Sequence, residues 1–546
     1  MKIKRLITAT VLCFSLVLTT SFVKDDSDDF ELIKNLEIFH TLMRDIRILY
    51  VDETSSGQLI KTAMDEMLKS LDPYTVYYPE SLVEDVMFIN SGVHAGIGVD
   101  LEKFSDGFKI IEVSEGSPAD KAGLLIGDKI LKIGQNDISD KTLDDVSILI
   151  KGEPGSLLSL TYSRAEQMQT VNIQRSMIKE KNIPYFGVVA PQIGYINLAG
   201  FTENCSKEFK AAFLKLKNEE KIDKLIIDLR FNPGGLLIEA VNIVNLFVDK
   251  GEKIVEMKGR VEQWNKTFYA ENSPVDTKIP IVVLVNSRSA SAAEIVSGAL
   301  QDLDRAVIIG EKTFGKGLVQ TTKDLIYNSK LKITTAKYYI PSGRCIQKLD
   351  YSHKDSKGNA LQYTEENTFK TKKGRLVKDA GGIMPDILAD VDSIAQIVEN
   401  LVSNNIIFDY ATSYRLKHQK IAPIENFELT KEEMDDFKKF AGNKSFEYQT
   451  KSEGLIKQLD EALKSEFNST IINSNLTSIK SEIQKHKLSE FDKCYQQIKR
   501  VLSMEIIARY YYPEGVIRYN LKQDNYLTKA KSVLNDANLY KNVFAN

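Results

Sequence analysis

The spacing of apolar residues changes several times along the chain, and each change predicts a different kind of structure. From Asp29 to Leu71, apolar side chains such as Phe30, Ile33, Leu36, Leu42, Ile46 and Leu49 recur at three- and four-residue steps, which predicts helix. Pro73 and Pro79 end that segment. From residue 84 to about 178 the pattern turns to short apolar strands among many glycines, with one helix expected near Leu143 to Ile150. This stretch predicts a small β-rich module. Beyond Ile193, apolar strands at 193–198, 225–229, 281–285 and 306–309 alternate with helical stretches at 206–217, 236–247 and 292–303. Such alternation predicts a largely parallel α/β layer. A β-rich piece follows around Lys330 to Tyr339, and past about Pro423 the chain becomes rich in lysine and glutamate with helical periodicity.

The first residues follow another rule. Lys2, Lys4 and Arg5 precede an apolar run from Leu6 to Leu18 and small polar residues at Thr19 to Ser21, the layout of a secretory signal. The run is short for a membrane span, although left uncleaved it would serve as an anchor. Cys13 lies within it, and Leu12 before that cysteine does not suit lipid attachment. Without the signal, Cys205, Cys345 and Cys494 remain, an odd and widely spaced set that is no disulfide framework. A chain of 546 residues divides into several domains. Its 72 basic residues are scattered among 75 acidic ones, so nucleic acid and anionic membrane surfaces are not expected partners.

Three loops of the α/β region follow strand-like runs, where such sheets place ligands and catalytic groups. The first, Asp228-Leu229-Arg230-Phe231-Asn232-Pro233-Gly234-Gly235, ends in glycines that open a helix and leave N–H groups free to face an anion. The second runs from Asn286 to Glu294 through small residues that let a substrate backbone approach, with Ser291 at the head of a helix whose dipole favours negative charge. The third, Gly310 to Gln320, encloses Lys316 between Gly315 and Gly317. No Ser or Thr follows that lysine, so it is not a nucleotide-binding loop. Taken singly, the three also read as an ordinary turn, an N-cap serine and a solvated lysine.

Histidine supply separates the mechanisms. His40, His94, His353, His418 and His486 all lie away from these loops, so a serine-histidine arrangement has no evident base. Lysine remains, and it accepts a proton only when burial lowers its pKa from about 10.4 toward neutrality. Gly315, Gly317 and the apolar Phe314, Leu318 and Val319 are compatible with such burial.

Together the loops resemble the carboxy-terminal processing peptidases, or tail-specific proteases, which use a serine and lysine dyad. The small-residue serine loop and the Phe314-Gly315-Lys316-Gly317 turn stand at the family's spacing, and Tyr338 to Arg344 and Gly381 to Ile387 match further segments, so that the likeness spans roughly residues 65–390. The resemblance implies that Ser291 is the nucleophile, Lys316 its general base and Gln320 the residue that orients the amine. It implies an oxyanion hole built from the N–H groups of Ala292 and Gly235. The β-rich module, with Gly96-Ile97-Gly98-Val99 and Ser117 to Leu124, looks like a PDZ domain, whose glycine loop holds a terminal carboxylate while the peptide adds as a strand. Lys151 stands where many members carry arginine in a segment that couples the PDZ domain to the active site, and lysine lacks the planar fork.

The expected architecture is multidomain α/β: a crotonase/Clp-protease-like core at 179–400, an inserted PDZ domain at 84–178, a signal at 1–23, an N-terminal helical segment at 24–83 and a C-terminal helical extension at 401–546. The expected activity is serine endopeptidase cleavage of envelope proteins recognised by their free C-termini, in the periplasm or cell envelope, with no metal or cofactor implied. Room is left for a membrane tether and a homo-oligomer. Two other readings stand beside it: a catalytically idle envelope scaffold, and a crotonase-like acyl-transfer enzyme.

Overall fold

A computed structural model describes residues 26–83, 91–364, 366–379, 381–389, 394–443, 451–466 and 470–545, and the export signal expected at 1–23 lies outside them. Among the described residues, no helix is long and apolar enough to cross a membrane. The chain forms two compact units. Among the described residues, the smaller holds 26–77 together with Thr322–Leu325 and Lys330–Ile333. Its helical pattern comprises two helices, α1 (Asp26–Leu49) and α2 (Ser56–Lys69). The break falls at Asp52-Glu53-Thr54-Ser55, where Ser55 leaves the helical region and its hydroxyl accepts the Gln58 N–H at 3.3 Å. Short polar side chains favour caps over helix interiors, and this one starts a new helix.

In the larger unit, β1 (Val93–Gly96) leads into β2 (Val99–Phe104), β3 (Gly107–Val113), the single turn α3 (Pro118–Lys121), β4 (Lys129–Ile133), α4 (Leu143–Ile150), β5 (Leu157–Arg164), β6 (Gln167–Gln174) and β7 (Ser176–Lys179). The main sheet has the order β2-β3-β4-β5-β6, so β2 is an edge strand. Ile97, Phe108, Ile110, Val146 and Leu160 form its core. Antiparallel pairing of β1 with β7, from Val93 opposite Lys179 to Gly96 opposite Ser176, closes the neck through which the chain enters and leaves this module.

The next layer contains β8 (Tyr185–Ala190), β9 (Ile193–Asn197), α5 (Cys205–Asn218), β10 (Lys224–Asp228), α6 (Leu237–Asn245), β11 (Lys253–Gly259), β12 (Lys266–Tyr269), β13 (Ile281–Val285), α7 (Ala292–Asp302), β14 (Val307–Gly310), β15 (Leu318–Asp324), β16 (Lys330–Tyr339) and β17 (Ile387–Leu388). Six of the strands form one sheet in the order β8-β9-β10-β13-β14-β17, parallel except for the β8–β9 pair. Both faces are buried, and successive residues serve opposite ones. Ile227, Ile281, Val283 and Ile308 face one core with α5, α6 and α7, while Tyr195, Ile226, Val282, Leu284 and Ile309 face another.

The C-terminal helical region covers that second face. Helices begin already at α8 (Gln396–Ser403) and α9 (Ile406–Lys417), ahead of the lysine-rich region, and continue through α10 (Lys431–Asn443), α11 (Lys451–Glu466), α12 (Thr470–Lys493) and α13 (Tyr495–Asn520). The chain then returns to the sheet with α14 (Asn525–Asn535) and α15 (Ala537–Val543), and Leu527, Ala530, Val533 and Leu534 of α14 pack on its second face. Most of these contacts join residues far apart in sequence, which local periodicity does not encode.

The PDZ-like module rests on α9 and α13. Phe104 and Phe408 have ring centroids 5.1 Å apart, Lys109 lies 3.6 Å from Asp409, and the Tyr512 hydroxyl donates to Asp120 at 2.8 Å. Gly127 packs so closely that an added Cβ would lie 2.3 Å from Thr412. Tyr512 itself has φ 56° and ψ −171°, breaking α13 before Pro513. A residue preceding proline is driven from helical geometry, and the break turns its side chain toward the module.

Candidate active site

The serine loop leaves the buried strand β13 and is tied down before it reaches Ser291. The Ser289 hydroxyl accepts from the Asn286 N–H at 2.9 Å and donates to the Leu229 carbonyl at 2.8 Å. Asn286 Oδ1 accepts the Phe231 N–H at 3.0 Å, and the Ala290 N–H donates to the Asn232 carbonyl at 2.9 Å. These bonds lock the serine loop to the glycine loop. Ser291 then takes φ 55° and ψ −113°, a backbone region that non-glycine residues rarely occupy and that persists only where the surroundings impose it. Helix α7 starts at the next residue, so the Ala292 N–H has no intrahelical acceptor.

Glu294, fully buried, connects this serine to the lysine. Its carboxylate accepts the Ser291 N–H at 2.8 Å and the Lys316 N–H at 2.9 Å on the same oxygen, and the Thr313 hydroxyl at 2.6 Å and the Gly315 N–H at 2.7 Å on the other. Two backbone nitrogens sharing one oxygen are necessarily close neighbours. Phe314 adds another tie by donating its N–H to the Ser289 carbonyl at 3.0 Å. Burial pushes the Glu294 carboxyl above the ordinary glutamate range, opposed by the hydrogen bonds from Thr313, Lys316, Gly315 and Ser291. The buried Tyr338 hydroxyl donates to the Ser291 carbonyl at 3.2 Å, and burial first, then Glu294, hold that phenol well above its usual value.

The glycine loop closes the other side. At Gly234, φ is +100° and an added Cβ would lie 2.8 Å from Ser291 Cβ and 3.0 Å from the Ala292 nitrogen. Gly235 pairs with Phe201 as a parallel bridge in which Phe201 bonds Gly234 and Leu236, so the intervening Gly235 N–H points away from that partner. Thus Ser291, Ala292, Gly234 and the backbone of Lys316 converge. Lys316 is half-buried between buried Gly315 and Gly317. Leu318 is buried, but Phe314, expected to shield the lysine, is 48% exposed because the turn directs its backbone rather than its ring inward. Gln320, on β15, donates its amide to the Thr334 hydroxyl of β16 at 3.2 Å.

In the PDZ-like module, Gly96 ends β1 opposite Ser176, and Ile97 buries its side chain while its carbonyl accepts the Ala119 N–H at 2.9 Å. Gly98, with φ +79°, accepts from Ser114 at 3.0 Å, and Val99 begins the edge strand β2 with α4 beside it. Lys151 caps the end of α4, donating its N–H to Ser147 at 3.1 Å. The cap also depends on a residue that sequence reasoning missed: Arg175 donates to the carbonyls of Ile150 at 2.8 Å and Leu149 at 2.9 Å. Nothing local to residue 175 signals that role, whereas Glu294 stands in the serine run itself.

Comparison with known proteins adds three matches to family models: peptidase family S41 over residues 192–353, a PDZ domain over 95–174, and the C-terminal helical domain of a probable PDZ-protease over 397–534. The chain is similar to a carboxy-terminal-processing protease of Bartonella bacilliformis, 38% identical over 319 residues that cover 58% of this chain and 73% of that one. It is also similar to a probable CtpA-like serine protease of Staphylococcus haemolyticus, 34% identical over 381 residues, 68% of this chain and 74% of that one. Among solved structures, a photosystem II D1 C-terminal processing protease is 27% identical, covering 60% of this chain and 91% of that chain, with a TM-score of 0.35.

Proposed function

Because the chain belongs to peptidase family S41 and is a serine-type carboxy-terminal-processing protease with a PDZ domain, we propose that Ser291 and Lys316 form its catalytic dyad. In this reading, neutral Lys316 Nζ takes the Ser291 hydroxyl proton as Oγ attacks a peptide carbonyl. The resulting oxyanion accepts the Ala292 and Gly235 N–H groups, and Lys316 returns the proton to the leaving amine. Water, deprotonated by Lys316 Nζ, then attacks the acyl-enzyme, and the proton passes to Ser291 Oγ as the ester bond breaks and the acid product leaves. Each oxyanion donor contributes about 3 kcal/mol to the barrier reduction. In this reading Gln320, whose amide donor is engaged by Thr334, orients the lysine amine through its carbonyl oxygen.

The observation that carries the reading is the shared Glu294 oxygen, which brings the backbones of Ser291 and Lys316 together. Core topology of the crotonase/Clp type agrees with the parallel sheet and the helix starting at Ala292. Substrate tails add along the free edge of β2, beside α4, with the terminal carboxylate at the amides of Gly96, Ile97, Gly98 and Val99. In this reading the capped end of α4 at Lys151 relays tail binding to the core. Lys2 to Ser21 supports export to the envelope, and envelope proteins with free C-termini are the proposed substrates. Peptidase family membership sets aside the idle scaffold and the acyl-transfer enzyme. Ser291→Ala and Lys316→Ala, each purified as the full chain and still folded, are expected to lose cleavage of a tailed protein substrate. Parental turnover by Ser291→Ala rejects the nucleophile.

A further inference from the structure

The glycine loop and the lysine loop are joined a second time, by residues from the far end of the chain. Arg230, in the glycine loop, donates through Nε and Nη2 to the two carboxylate oxygens of Asp228 at 2.9 and 2.5 Å. Its outer edge donates through Nη1 and Nη2 to both oxygens of Asp524 at 3.1 and 2.7 Å, across 294 residues of sequence. Asp228 is itself fixed by the Tyr195 hydroxyl at 2.6 Å. The side chains of Arg230 and Asp524 are 11% and 2% exposed, so this pairing lies almost entirely out of water. Asp524 is held rigidly because it also caps α14, accepting the Leu527 N–H at 3.1 Å.

Two residues on, Tyr526 extends the bridge. Its ring lies 4.8 Å beneath the Arg230 guanidinium, its hydroxyl donates to Glu311 of the lysine loop at 3.1 Å, and its edge sits against Gly310. The segment therefore grips both loops that carry the proposed chemistry, from the side opposite Glu294. A bidentate guanidinium pair fixes orientation as well as distance. Arg230 is followed directly by the run from Phe231 to Gly235, so its orientation sets the path of the proposed oxyanion donor.

We infer that Asp524 and Tyr526 are positioning residues for hydrolysis, holding the glycine and lysine loops in register from the C-terminal helical domain. This rests on the proposed dyad and oxyanion hole. Buried partners of a charge cannot be removed at will, so the variants keep shape: Asp524→Asn retains a cap acceptor while losing the charge, and Tyr526→Phe removes one hydroxyl. Both are made in the full chain and compared with the parent for thermal midpoint, for active sites titrated with a fluorophosphonate probe, and for steady-state cleavage of a tailed substrate. The expected result is kcat per titrated site lowered about tenfold or more with KM unchanged within about twofold, since tail capture is elsewhere. Parental kcat per titrated site in both variants, or a loss confined to the number of titratable sites, overturns the inference. Ser291→Ala is run alongside: if it keeps cleaving, the dyad itself fails and this inference with it, whereas an inert Ser291→Ala beside full-rate Asp524→Asn defeats this inference alone.

Discussion

Glu294 shows how much a single buried carboxylate organises. Four donors converge on it from the serine and lysine loops, and an amide in its place would turn an N–H group toward some of them. Glu294→Gln is expected to cost about 3 kcal/mol of stability by chemical denaturation and to lower kcat/KM by about a hundredfold. The pH dependence has a definite sign. A carboxyl whose folded value is raised binds its proton more tightly when folded, so stability falls as pH rises from the ordinary glutamate value through the raised one. Glu294→Gln removes that slope, and unfolding curves across mildly acidic pH check it. Gly234→Ala is expected to abolish cleavage with the PDZ domain still binding tails, because its Cβ would collide with Ser291 at a φ of +100°. The proposed serine and lysine are singled out by small-residue loops and by histidines that lie elsewhere. The role of Glu294 is not, because its partners at 313–316 are neighbours only after folding.

The elements follow the same division. Helix α7 begins at Ala292, where the helical stretch is expected, and α4 covers the residues whose spacing announced it, since both patterns are local. The interruption between α1 and α2 needed recognition of Ser55 as a cap, and the break in α13 needed Pro513 weighed against a long helical run. That break places Tyr512 on Asp120. Burial, and then Asp120, raise the Tyr512 phenol to about 12, so the folded state holds that proton more tightly than the unfolded chain. The contact therefore contributes fully below the ordinary tyrosine value and is lost as pH climbs through about 12. Tyr512→Phe removes it at neutral pH, weakening the seating of the PDZ domain by about 1 kcal/mol. Faster hydrogen exchange at residues 118–127, with unchanged exchange in β10 and β13, is the expected signature.

At the scale of the whole molecule, the parallel sheet could be read from alternating runs, and its burial on both faces from their unbroken apolar character. The source of the second cover could not, because the charged C-terminal region offered no sign that its last turns fold back onto strands more than two hundred residues upstream in the sequence. Truncation before Asp524 is expected to bare Ile226, Val282, Leu284 and Ile309, giving a product that aggregates or binds a hydrophobic dye, as light scattering and dye fluorescence would report. The order of synthesis gives this arrangement a further consequence. A ribosome delivers the proposed nucleophile, the proposed base and the glycine turn long before it delivers Asp524, the second counter-ion of Arg230, which follows 294 residues later. A nascent chain that has not reached Asp524 therefore carries the proposed reactive groups on loops still unjoined from that side, and is expected to cleave more slowly than the full chain.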